Sequence, residues 1–146
     1  MRTVKQSDIA DGNLDRAIER LYGGAARNEQ INRYAALLDE FHLRFSSDQA
    51  YLFSSPGRTE LGGNHTDHNH GHVLAGSIQL DKIAAVSPRE DMQVVVVTAG
   101  FPKDIVADLQ DLQPQSEEAG SASALVRGIA AYFAEHGYGY GGFSAY

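Results

Sequence analysis

The chain contains no cysteine, which removes disulfide scaffolds and thiolate zinc sites together. It has no long apolar run. The longest β-branched stretch is Val94–Val97, and Met1–Gly24 holds nothing like the apolar core of a signal peptide. No segment is therefore expected to span a bilayer. A basic excess is also missing: 12 Lys and Arg stand against 19 Asp and Glu, a formal net charge of −7. Such a chain repels phosphate backbones and anionic lipid, which argues against nucleic acid and membrane surfaces as partners. What is present is globular composition, 42% hydrophobic and 21% charged over 146 residues. That length suffices for one domain burying about two-thirds of its unfolded surface. The expectation is a soluble cytoplasmic domain.

Hydrophobic spacing divides the chain into regions. Leu14, Ala17, Ile18, Leu21 and Tyr22 share a helical face, with Asn13 as the expected cap and Gly23-Gly24 as the stop. A second helix is predicted over Glu29–Phe45 behind Asn28, burying Ile31, Tyr34, Ala35, Leu38, Phe41 and Phe45. The period then changes. Tyr51–Ser54 reads as a short strand that ends at a Ser55-Pro56-Gly57 turn, before a polar loop over Arg58–Gly71. Val73–Leu80 reads as a strand. Ile83–Val86 and Met92–Thr98 read as a hairpin about a Pro88–Asp91 turn. Ile105–Leu112 alternates like a half-buried strand, and a last helix is expected over Glu118–His136, with Gly137 as its stop. Tyr138–Tyr146 reads as a turn leading into a strand. Helices, then strands, then a helix predict an α+β class.

Most of the functional information lies in Ser54–Ile78, SSPGRTELGGNHTDHNHGHVLAGSI. Four of the six histidines (His65, His68, His70, His72) fall there, with Arg58, Glu60, Asn64 and Asp67. Gly62 and Gly63 precede the cluster and permit a tight turn presenting Asn64–Asp67. One chemistry that fits is metal binding through imidazole and carboxylate, although the spacing matches no standard zinc pattern. If His68, His70 and His72 lay on a regular strand they would share one face. A second is recognition of a polyhydroxylated ligand: a carboxylate accepts from two neighbouring hydroxyls, while Asn and neutral His both donate and accept. Arg58 adds a fixed fork of donors suited to a carboxylate or to developing phosphate charge. The residue types suit a sugar better than a metal, and a solvated polar turn also accommodates them.

Pro56-Gly57-Arg58, then Gly63-Asn64-His65-Thr66-Asp67, Asn69, Gly71 and Val73-Leu74 resemble, without gaps, the galactokinase form of the first motif of the GHMP small-molecule kinases. The wider resemblance runs from about Glu29 to Tyr146 and takes in Ile83–Arg89 and Leu125–Ala130. It implies an α+β GHMP-kinase N-terminal domain, a mixed sheet with helices packed on one side and a left-handed βαβ unit. It also implies ATP-dependent phosphorylation of the anomeric hydroxyl of galactose, with Mg2+. By position, Arg58 matches the arginine that stabilises the transition state and pairs with the catalytic aspartate. Asn64, His65, Thr66 and Asp67 match the segment that holds the sugar hydroxyls.

This chain departs from the family pattern at several positions. Asn64 stands where the family usually carries Glu, Thr59-Glu60 replaces Val-Asn, Gly62 replaces Ile and His68 replaces Tyr. Glu60 returns a carboxylate nearby, and His70 and His72 occupy variable, solvent-leaning positions. The family's glycine- and serine-rich phosphate loop, catalytic aspartate and magnesium ligands have no counterparts here. The expectation is therefore one N-terminal domain over 1–146 (a helical extension to residue 28, then the family-like region 29–146), truncated before the phosphate loop. It would bind a small-molecule sugar but be inactive alone, with ATP and Mg2+ bound only in the full-length enzyme and no metal held here. A non-catalytic sugar-sensing paralogue, a kinase for a related sugar and a His-rich metal-binding module are the alternatives.

Overall fold

Apolar residues at helical spacing gather the first third of the chain into α1 (Gln6–Ala10), α2 (Asp15–Tyr22) and α3 (Arg27–Phe45), with a 3-10 turn at Gly24–Ala26. A computed structural model describes residues 2–63 and 66–146, and of Asp67 the backbone alone. α3 buries Tyr34, Leu37, Leu38 and Phe41, the last completely. Neither expected cap is used. Leu14 and Ala26 precede α2 and α3 without a side-chain bond, and Asn13 instead donates to the Asp8 carboxylate at 3.0 Å. The 3-10 turn runs directly into α3, so that helix starts two residues before the expected Glu29.

Five strands follow, β1 (Tyr51–Gly62), β2 (Leu74–Arg89), β3 (Gln93–Val96), β4 (Ile105–Asp108) and β5 (Gly142–Ala145), with α4 (Ala122–Glu135) before the last. They form one mixed sheet in the order β1-β2-β5-β3-β4. The α+β class is as expected, and the last segment does enter a strand. α4 begins at Ala122 rather than Glu118 because Gly120 turns at φ +75 and the Ser121 hydroxyl caps the Ala124 amide.

Two expectations about the strands are corrected. β1 does not end at Pro56-Gly57; it runs through both to Gly62. β1 is the sheet's edge. Ala85 spends both backbone groups on Tyr146 (2.9 and 3.0 Å), so its partner Leu52 turns its own groups outward. Pro56, in the same alternation, places its missing N–H on the open side, where a strand tolerates it. Gly57 faces the bulge that shifts the register between Pro56 and Arg58, since a Cβ there would lie 3.1 Å from the Leu80 carbonyl oxygen. The second correction is the hairpin. β2 and β3 do not pair; β5 runs between them, antiparallel to β2 and parallel to β3. Gly142 lets it enter, because a Cβ there would sit 2.5 Å from the Gln93 carbonyl oxygen.

Strand parity separates two cores. Leu52, Ile83, Ala85 and Tyr146 face α3, whereas Val94, Val96, Ala107 and Phe143 face α4 through Val126 and Ala130. The helices thus cover both faces of the mixed sheet rather than one. α4 is fixed by Arg127, 6% exposed, which makes a two-pronged pair with Glu118 (2.8 and 2.6 Å) and donates to the carbonyls of Asp108 and Asp111.

Candidate functional site

The polar segment singled out from the sequence sits at the tip of the long β1–β2 ladder, which pairs from Tyr51 with Val86 out to Gly62 with Leu74. Arg58 and Glu60 are alternate residues of β1 and share a face, with the Arg58 guanidinium 3.8 Å from Glu60 Oε1. The Arg58 side chain is 75% exposed and that of Glu60 26%. The carboxylate therefore steers the guanidinium without burying it, and leaves most of the donor fork open to a ligand.

Beyond Gly62 the chain turns sharply. Gly63 takes φ +80, and a Cβ there would lie 2.2 Å from the His72 carbonyl oxygen, so only glycine fits. Thr66 closes the turn. Its hydroxyl lies 2.8 Å from the Gly63 carbonyl oxygen and 3.1 Å from that of His72. Its amide donates to Gly63, and its carbonyl accepts from the amides of Asn69 (3.0 Å) and Gly71 (2.8 Å). Gly71 presses on the same residue, with a Cβ position 2.6 Å from Thr66 Cβ. The Thr66 hydroxyl proton is thus shared between two carbonyls of the turn, and only oxygen lone pairs remain for a ligand. Asp67–Asn69 form one 3-10 turn. Asn64 and His65 lie outside the described residues, as does the Asp67 side chain.

The histidines do not make a strand. His68 lies in the 3-10 turn, His70 takes the left-handed conformation at φ 60, and His72 follows in exposed coil. Among the described residues no group of three or more His, Asp or Glu side chains is placed to hold a metal ion. The glycine-rich run 137–142 leads from α4 into β5 and opens no helix, so it offers no helix N-terminus to a nucleotide phosphate. That run therefore does not fit the phosphates of a nucleotide.

Sequence reasoning missed the anchor behind the tip. Asp81, opposite Pro56 on β2, has a side chain only 6% exposed. It accepts from Tyr22 Oη, Ser54 Oγ and Arg33 Nη1, each at 2.5 Å, and Arg33 Nη2 also donates to its carbonyl at 2.9 Å. Burial works to raise the Asp81 pKa, but the three donors outweigh it and hold the carboxyl below its ordinary value. Tyr22 Oη also meets Tyr34 Oη at 2.9 Å, and burial pushes the Tyr34 hydroxyl well above the ordinary tyrosine range. One carboxylate therefore ties α2, α3, β1 and β2 together two residues inward of Arg58. The available signal was a charged residue interrupting an apolar strand, Leu80-Asp81-Lys82-Ile83.

Comparison with known proteins adds to this geometry. The family model described as the galactokinase galactose-binding signature matches residues 39–88, from the end of α3 through the tip to the end of β2. The galactokinase of Limosilactobacillus reuteri (strain DSM 20016) is 30% identical over 106 residues, 69% of this chain and 27% of that protein. The galactokinase of Candida parapsilosis is 38% identical over 80 residues, 52% of this chain and 16% of that protein. Among solved structures, Lactococcus lactis galactokinase complexed with galactose aligns with a TM-score of 0.64 and 32% identity, over 77% of this chain and 29% of that one. This chain spans less than a third of the length of these relatives. No helix among the described residues is long and apolar enough to cross a membrane.

Proposed function

Because the chain belongs to the galactokinase family, we propose that it is the N-terminal, sugar-binding part of an ATP-dependent sugar 1-kinase, most specifically one converting galactose and ATP to galactose 1-phosphate and ADP. The observation that carries this reading is the coincidence of the matched signature, residues 39–88, with the ladder tip that presents Arg58 and the Gly63–His72 turn. Asn64, His65, Thr66 and Asp67 hold the sugar hydroxyls, Thr66 by accepting at its hydroxyl oxygen. Arg58, kept exposed and oriented by Glu60, meets the negative charge that develops on the transferred phosphoryl group. Phosphoryl transfer depends chiefly on positioning and charge stabilisation, which an open guanidinium beside a turn fixed by its own hydrogen bonds supplies.

ATP and Mg2+ belong to the complete enzyme and are held outside this chain. The domain comprises residues 29–146 with the helical segment 1–28 laid against it, and it works in the cytoplasm on a small-molecule sugar. A coupled phosphorylation assay on the full natural reading frame, with galactose beside other hexoses and amino sugars, tests the proposal. Turnover with galactose supports it. Turnover with another sugar alone keeps the kinase and moves specificity to Asn64, Glu60 and His68. Galactose binding without turnover of any sugar makes the protein a sugar sensor and overturns the catalytic reading.

A further inference from the structure

At the end of β2 far from the tip, the sheet outruns the helix that covers it. Leu52, Ile83, Ala85 and Tyr146 lie under α3, and α3 stops at Phe45. Strand alternation carries the same face on to Ser87 and Arg89 of β2 and to Ser144 of β5, with Ser87 and Ser144 directly opposed. A cavity of about 630 Å³ lies over them, lined by Arg44, Gln49, Ser87, Arg89 and Ser144 beside Phe45. Its size falls within the range of small-molecule sites. The chain carries a net charge of −7, yet this lining holds two arginines and no carboxylate.

The lining is rich in unspent donors. Arg89 is held from outside the cavity: its Nε donates to Asp91 at 2.8 Å and its Nη2 to the other carboxylate oxygen. That leaves Nη1, which reaches Ser144 Oγ at 3.1 Å with one of its two protons. Ser144 is 3% exposed. Its oxygen accepts from Arg89, and its own proton meets no acceptor among the described residues. The Ser87 hydroxyl opposite has no hydrogen-bond partner among them either. The Arg44 guanidinium lies 5.2 Å from the centre of the Tyr146 ring, an attraction that steadies it there. Only its Nε faces a carboxylate, Glu40 at 3.6 Å in an exposed pair, so both Nη groups stay open and the pairing yields readily. Gln49 takes the Thr3 hydroxyl on its carbonyl oxygen at 3.0 Å, which leaves its amide nitrogen to donate. The carbonyl end of α3 adds about half a negative charge nearby, less than the two guanidiniums bring.

We propose that this cavity binds a small organic phosphate monoester, with its phosphoryl oxygens held by Arg44, Arg89, Ser87 and Ser144. A carboxylate is saturated by a single guanidinium fork. Two guanidiniums from separate elements, joined by two hydroxyls, match the three oxygens and the larger charge of a phosphate monoester. The cavity has room well beyond a phosphate, and Phe45 and Pro88 give that room an apolar wall for the organic group. The site lies at the opposite end of β2 from the tip, so its occupancy does not depend on the sugar-kinase reading.

The test follows amide chemical shifts of the isotope-labelled chain as inorganic phosphate, phenyl phosphate or acetate is added at constant ionic strength. Phenyl phosphate is the monoester probe because it has no sugar hydroxyl to engage the tip. Both phosphates should give saturable shifts at Ser87, Arg89 and Ser144 and none at Gly63 or Thr66. Phenyl phosphate should bind more tightly than inorganic phosphate, and acetate should not saturate. Arg44→Gln removes an exposed cation and should weaken phenyl phosphate by about tenfold. Arg20→Gln, which takes the same charge from an exposed position of α2, should change nothing. Saturation by acetate at matching concentration, binding of inorganic phosphate alone, or equal losses in the two variants overturns the proposal. Shifts that grow linearly with every anion also overturn it and leave the two arginines as surface charges.

Discussion

Thr66 carries more of the candidate site than its residue type announces. The sequence places it among the groups that touch the sugar, and its presence in the turn is legible there. What a linear reading cannot supply is that Gly63 and His72, three residues before and six after, converge on its hydroxyl. In the sugar kinase proposed above, Thr66→Ser should retain sugar affinity, while Thr66→Val, close in shape but without the hydroxyl, should raise KM for the sugar about tenfold. Michaelis constants for the two variants check this, and a Val variant with unchanged KM would remove Thr66 from the site. Gly63→Ala is the harsher change, because the new Cβ overlaps the His72 carbonyl oxygen. Arg58 should divide the kinetics differently. If Arg58 has the role proposed for it, meeting charge present only in the transition state, Arg58→Ala should lower kcat by about 100-fold or more with little change in sugar KM. Steady-state kinetics with saturating ATP separate the two, and an intact kcat would refute the role. Glu60, noticed in the sequence only as a nearby carboxylate, is tied to Arg58 by strand alternation, which becomes readable once Arg58 is known to lie in β1.

Among the elements, the helices were largely legible because 3.6-residue periodicity is local; α2 and α3 fall within two residues of their expected starts. The sheet was not. Whether Ile83–Val86 pairs with Met92–Thr98 depends on β5, which lies some fifty residues further along and enters between them. The trace of that event in the sequence is Gly142, one of four glycines in the run 137–142, and nothing local tells which of them must lie against another strand. Gly142→Ala should force β5 away from Gln93 and destabilise the domain by about 1–3 kcal/mol, measured by urea unfolding; an unchanged midpoint would mean that the sheet relaxes at no cost. The α4 attachment makes a similar case. Arg127 sits on a helix whose other buried residue is Ala130; its charge pairs with Glu118, with the Asp108 and Asp111 carboxylates near enough to add to the attraction and their carbonyls accepting its hydrogen bonds. Arg127→Met removes one partner of a desolvated pair and should cost about 3 kcal/mol in the same measurement. A loss under half that size would show that Glu118 is rehydrated without penalty.

For the whole molecule, the helices of one layer and the two strands bearing the candidate site share an apolar core and, at its polar edge, one carboxylate that bonds to all of them, which makes acid the natural probe of that joint. Asp81 is held below its ordinary pKa by donors from Ser54, Tyr22 and Arg33 despite its burial. A group depressed in the folded state contributes stability that is complete above its unfolded value near 3.8 and is lost as pH falls through the lower folded value. Asp8, Glu118 and Asp91 are depressed as well, Asp91 to about 2 by its hydrogen bond from Arg89. The chain should therefore hold its stability at mildly acidic pH and lose it progressively below about pH 4. Tyr34 bounds the other end. Burial raises its pKa above the ordinary value of 10.0, so its contribution is complete below pH 10 and is lost as pH rises beyond it. Urea midpoints measured from pH 2 to 7 on the chain and on Asp81→Asn test the acid limb. The variant should be weaker at pH 7 by about 1–3 kcal/mol, the cost of disturbing buried hydrogen bonds, and should fall less steeply below pH 4. Parallel curves would place the acid sensitivity in the surface pairs, and Asp81 would then be a packing residue rather than the electrostatic joint between the helical layer and the site.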